Sequence, residues 1–139
     1  SFIGIRVIKM FEGFKEQFGH RTNYLFAQLA AQNGDASSMV SCLDRVVQTS
    51  IPQLREVDAS KNWEKQAGMA FFKLAKTLDE YGAVCREGAV LSLNYSFQHY
   101  NMGGVKPKLK GLSIKEIQDY KEDLSSKVSL RDLELVEQD

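Results

Sequence analysis

The chain has 139 residues, 43% of them hydrophobic, and its 18 Lys+Arg balance 18 Asp+Glu for a formal net charge of +0. That is enough chain to bury one core. The balance argues against a nucleic-acid binder, which needs a basic excess or one strongly basic face, and a proline count of 2 with a glycine count of 10 excludes a low-complexity or collagen-like segment.

The opening stretch SFIGIRVIKMFEGF carries Arg6 and Lys9, and no small-residue cleavage site follows it, so it does not read as a secretory leader. No stretch anywhere approaches the roughly 18 consecutive apolar residues that cross a bilayer. The chain starts without Met. The expectation is a single helical domain over residues 1–139, a fragment of a larger helical module. In its first segment Ile5, Ile8, Phe11, Lys15 and Phe18 fall at helical spacing, with Val7, Met10 and Phe14 beside them. NYLFAQLAAQN repeats the pattern through Leu25, Leu29 and Ala30, and Asn33-Gly34-Asp35 breaks it. A third segment opens on Ser37 or Ser38 as N-cap and carries Met39, Val40, Leu43, Val46 and Val47. Pro52 is expected to interrupt or restart it.

From Asp58 or Ser60 a long stripe runs through Trp63, Ala67, Ala70, Phe71, Leu74, Leu78, Tyr81 and Cys85 toward Tyr100. Gly68, Gly82 and Gly88 lie inside it. Each costs about 1 kcal/mol against Ala in a helix interior, so each either weakens the helix or admits a close neighbour. VLSLNYSF alternates like a strand, but the flanking periodicity is helical and no partner strand is evident. Asn101 to Gly104 is a stop. Ser113 then caps a last helix, with Glu116 at capping-box spacing and Ile114, Ile117, Tyr120, Leu124 and Val128 as its stripe. Either that helix continues to Leu135 and Val136, or Ser129 and Asp132 start a shorter one. The fold class is all-α, read as long antiparallel helices in a coiled-coil-like bundle.

Chemistry is sparse. HExxH, Glu-x-x-His, GxSxG and the glycine-rich phosphate motifs are all absent. His20 and His99 are the two histidines, and neither has an acid or cysteine at ligand spacing. Both read as surface or core-edge residues. No cofactor, no metal and no catalytic residue is expected. Cys42 and Cys85 sit among apolar residues and read as reduced, buried thiols of a cytoplasmic protein, with a single disulfide as the alternative. Asn94 matches a glycosylation acceptor inside a helical stretch, which reads as coincidence.

The densest basic stretch is VKPKLKG and the helix start after it: Lys106, Lys108, Lys110 and Lys115, with no acid until Glu116. Such a cluster suits anionic headgroups, at about 1 kcal/mol per lysine near a charged surface. A solvated loop has the same composition.

Two stretches of the second half resemble the BAR-domain family of crescent-shaped dimers built from long helices. One is GMAFFKLAKTLDEYGAVCREGA, Gly68 to Ala89. The other is VKPKLKGLSIKEIQDYKEDLSSKVSLRDLEL, where Pro107, Leu109, Leu112, Glu116, Ile117, Lys121, Leu124, Lys127 and Asp132 lie on the family's pattern. Pro107-Lys108-Leu109 stands where the family has Pro-Leu. The resemblance implies a non-enzymatic homodimeric scaffold that binds or senses curved, anionic membrane from the cytoplasmic side. Phe71, Leu74, Leu78, Ile117 and Leu124 would then be helix-packing residues and the four lysines membrane contacts. Two other classes fit the residues. A compact helical adaptor would bind a partner protein through an apolar groove. A small-ligand carrier would line a pocket with Phe71, Phe72, Tyr81 and Tyr95, which ordinary core packing also explains.

Overall fold

The computed structural model describes residues 4–19, 24–104 and 112–138, with backbone only from residue 128. Among the described residues every regular element is helical. In chain order these are α1 (Ile5–Phe18), α2 (Leu25–Gln32), α3 (Ala36–Val57), α4 (Trp63–Glu80), α5 (Arg86–Met102) and α6 (Ile114–Gln138), with one 3-10 turn at Gly82–Cys85. The last helix is therefore continuous through Leu135 and Val136.

The long stripe from residue 60 to Tyr100 is not one helix. It breaks at Gly82, whose φ of +79° an L side chain rarely adopts. The chain reverses there, and α5 returns antiparallel along α4. The stripe's period survives the break because both arms of the hairpin bury a face at helical spacing. The two arms approach closely through small residues. A Cβ on Gly68 would lie 2.6 Å from the Tyr100 Cβ, and one on Gly88 would lie 2.6 Å from the Ala36 Cβ of α3. At that range side-chain hydroxyls reach across to the neighbouring backbone. Ser92 Oγ donates to the Phe71 carbonyl (2.8 Å) and Ser96 Oγ to the Gly68 carbonyl (2.6 Å). Both serines are buried with their polar atoms satisfied.

Paired contacts give the directions of the other helices. Gly88 meets Ala36 and His99 meets Asp44, so α3 runs parallel to α5. Tyr100 bonds the Leu112 carbonyl while Lys121 lies over Phe97, so α6 runs antiparallel to α5. Gln17 pairs with Gln66 and Arg6 with Glu80, so α1 runs antiparallel to α4. The core joins Phe11, Phe14 and Phe18 of α1 to Met39, Leu43 and Val47 of α3, Phe71 and Leu74 of α4, Leu93 of α5, and Ile117 and Leu124 of α6. Each large side chain fully buried there contributes about 1.5–3 kcal/mol.

Several local expectations shift. In α1 the buried stripe is Val7, Phe11, Phe14 and Phe18, while Ile5 and Ile8 are exposed. The three phenylalanines set the helix's rotation. The N-cap of α3 is Asp35, whose carboxylate accepts from the Ser38 N–H (3.0 Å), not Ser37 or Ser38. The long stripe begins as helix at Trp63, behind the N-cap Asn62, and not at Asp58 or Ser60. Pro52 does not stop α3. It removes one backbone donor, but Val47 and Ile51 are buried on either side of the lost bond and hold the helix on course. Ser113 caps α6 as expected, accepting from the Glu116 N–H (3.2 Å). Cys42 and Cys85 are both free thiols.

Glycine substitutions test this packing. Gly13, inside α1, has nothing within 4 Å of a Cβ, whereas Gly68 meets the Tyr100 backbone nitrogen at 2.9 Å. Gly13→Ala should stabilise by about 0.5–1 kcal/mol. Gly68→Ala should destabilise, because overpacking of about 1–3 kcal/mol outweighs the same propensity gain. Urea unfolding reads both, and equal shifts in one direction would refute the close approach.

Candidate functional site

The hairpin sets the N-terminus of α4 beside the C-terminus of α5. Asn62 joins them: its side chain accepts from the Lys65 N–H (3.1 Å) and donates to the Gly103 carbonyl (2.9 Å). Glu64 therefore sits in the first turn of one helix and His99 in the last turn of the other. Both positions suit the charges, since helix N-termini favour anions and C-termini favour cations. The parallel α3 brings Asp44 to the other side of the same imidazole.

The result is a buried ionic cluster. His99 Nδ1 lies 2.8 Å from Glu64 Oε2, and Nε2 lies 2.5 Å from Asp44 Oδ1. Asp44 and His99 are 3% and 4% exposed. The outer carboxylate oxygens are also occupied. Gln48 Nε2 donates to Asp44 Oδ2 (2.5 Å) and Arg55 donates to Glu64 Oε1 (2.9 Å). Two cations face two carboxylates, and all four carboxylate oxygens have a donor. Phe71 stacks on the imidazole at 5.7 Å and 12°, where a ring face attracts a cation.

Protonation follows from this geometry. Burial alone disfavours the imidazolium, but the hydrogen bonds and charges of Asp44 and Glu64 override it and push the His99 pKa up to about 9. An imidazole with a carboxylate at each nitrogen is a double donor. It has no lone pair left for a metal or for a substrate proton. The two carboxylates bind opposite edges of the ring and do not converge, and no group of described residues is arranged to hold a metal ion. What the cluster can do is pin three helix segments together.

None of this was singled out from the sequence. His99 reads there as a surface or core-edge residue, yet it is buried. Its partners lie 55 and 35 positions away, beyond any local motif. One signal was available. His99 continues the stripe Cys85, Ala89, Ser92 and Ser96, and Asp44 and Glu64 each lie among the buried positions of their own helices. A charge in register with an apolar stripe needs a buried partner.

The residues marked for packing, Phe71, Leu74, Leu78, Ile117 and Leu124, are all within 1% of complete burial. Of the four lysines marked for membrane contact, Lys115 is exposed in the first turn of α6, while Lys106, Lys108 and Lys110 lie outside the described residues, as does His20. Of the four aromatics marked for a pocket, Phe71, Phe72 and Tyr95 have ring partners in the core and at the α4–α6 contact. Phe71 packs against Phe14, Tyr95 and His99, and Phe72 meets Tyr120 edge-on. Asn94 is half-buried in α5.

The surface has its own irregularity at α2. This helix buries Ala27 and Ala31 and leaves Leu25, Phe26 and Leu29 outside, with Phe26 68% exposed. Its large residues face solvent and its small ones face α3. Compared with known proteins, the chain matches no family model, no curated protein and no solved structure.

The cluster predicts an alkaline loss of stability. The folded pKa of His99 is above its unfolded value of about 6.5. The stabilisation is therefore complete below about pH 6.5 and declines as pH rises through about 9, by an order of 3 kcal/mol. Asp44→Asn removes a buried partner, which should cost about 3–5 kcal/mol at pH 7 and flatten the alkaline decline. Urea unfolding at pH 6, 8 and 10 measures both. A wild type equally stable at all three values would contradict the charged cluster.

Proposed function

We propose that the chain is a non-enzymatic helical scaffold that pairs with a second copy through α2 and meets anionic membrane through its basic stretch. The observation that carries the pairing is the outward face of α2. A single exposed leucine is ordinary on a protein surface, but Leu25, Phe26 and Leu29 together occupy the outer side of one two-turn helix. Contiguous apolar patches of this kind mark interaction sites.

The sequence of α2, LFAQLAAQ, contains no charged residue. Helices that lie in a membrane interface carry lysine and arginine on their polar face, so α2 suits protein contact better than lipid. An uncharged face can also meet its own copy across a two-fold axis without like-charge repulsion, and two-fold dimers are the commonest assemblies. Burying Phe26 and the two leucines supplies the apolar centre such an interface needs.

The membrane part of the reading is supported by lysine density. Lys106, Lys108, Lys110 and Lys115 fall within ten positions, and Lys115 is exposed. Four lysines near an anionic surface contribute about 1 kcal/mol each. Attachment is then electrostatic and peripheral, since no helix among the described residues is long and apolar enough to cross a membrane.

Sedimentation equilibrium tests the pairing. The wild type should weigh twice 15.7 kDa. Phe26→Asp should give a monomer with unchanged helical circular dichroism. A wild-type monomer at high micromolar concentration would refute pairing through α2. In the same preparations, co-sedimentation with phosphatidylserine vesicles should fall steeply with salt. Neutral vesicles bound equally well would refute the lysine contact.

A further inference from the structure

A groove of about 290 Å³ lies between α1 and α4, used by neither the ionic cluster nor the α2 face. Its floor is apolar and pliable: Phe14 is buried at its base, and Met10 and Met69 are half-buried along its sides. Methionine at such a surface adapts to chains of varied shape. Gly13 opens one lip, since a Cβ there meets nothing within 4 Å.

The two ends differ. Because α1 and α4 are antiparallel, Lys9 and Lys73 stand at the same end, both exposed. Among the described residues neither ammonium takes part in an ion pair or hydrogen bond. At the other end Gln17 and Gln66 bond across the gap at 2.9 Å and close it. From Lys9 to Gln17 the floor is eight residues of helix, roughly 12 Å. The space is thus a blind slot, and at its mouth stand two cations that no described residue pairs. A docked helix is itself about 10–12 Å wide, as wide as the slot is long. The volume lies just below the usual range for small-molecule sites, about 300–1,000 Å³. One short chain fits and a two-chain lipid does not.

We propose that this slot binds a single-chain anionic amphiphile, a medium-chain carboxylate, with its carboxylate at Lys9 and Lys73 and its chain over Met10, Phe14 and Met69. The charge at the mouth fixes the head group, the closed end limits the chain length, and the apolar floor supplies the affinity. The site is independent of pairing through α2.

Titration of the full chain with sodium decanoate below its micelle concentration, followed by amide NMR, tests this. Saturable shifts should centre on Met10, Gly13, Met69 and Ala70 and be the same in Phe26→Asp, so failure of the pairing leaves this result standing. Lys9→Glu with Lys73→Glu should weaken binding at least tenfold. Gly13→Leu, which favours helix and fills the slot, should do the same while the melting temperature holds or rises. Decanol should bind at least tenfold more weakly, and acetate should give no shift. Dihexanoylphosphatidylserine, a two-chain lipid kept below its micelle concentration, should not compete. Absence of saturable shifts, undiminished binding in both variants, equal binding of decanol, or displacement by the two-chain lipid would each overturn the proposal.

Discussion

The rest of this molecule depends on one buried imidazolium held between two carboxylates. His99 can keep its charge only because Asp44 and Glu64 reach it from different helices. Those carboxylates can be buried only because His99, Gln48 and Arg55 satisfy them. Removing any one member leaves an uncompensated charge or donor in the interior, which costs more than the intact set contributes. The cluster therefore specifies an arrangement rather than adding bulk stability. It requires α3 parallel to α5, and the start of α4 beside the end of α5.

Backbone chemistry makes that arrangement reachable. Gly82 turns the chain so that two helix ends of opposite polarity meet, and each places the charge its own dipole favours. Gly68, Gly88, Ser92 and Ser96 bring the helices close enough for the ring and the carboxylates to touch. A larger residue at either glycine would separate the partners of the cluster as well as the helices. The same economy of small residues shapes α2, where Ala27 and Ala31 face inward and the bulky Leu25, Phe26 and Leu29 face solvent. The interior is specified by small residues and paired charges, and the bulky residues of α2 are left at the surface.

Much of this was legible in the sequence, and the unread part has a physical cause. Helical periodicity identifies the all-α class because each helix buries one face. Asn33-Gly34, Ser113 and Gly103-Gly104 mark helix ends through their own backbone chemistry. The hairpin between α4 and α5 was hidden because its stripe keeps the same period on both arms, and only the handedness of Gly82 marks the reversal. The ionic cluster was hidden because its members come from three separated segments, so no spacing rule links them. The inverted face of α2 was hidden for a related reason. Leu25 and Leu29 look like a core stripe until α3 accepts the alanines instead.

The charge state of His99 decides whether the buried cluster is ionic. Long-range nitrogen-15 NMR of the histidine rings, with a His20→Gln variant for assignment, reads it. At pH 7 both nitrogens of His99 should carry protons and titrate together near pH 9. A neutral ring with one protonated nitrogen at pH 7, titrating near the ordinary value of about 6.5, would contradict it.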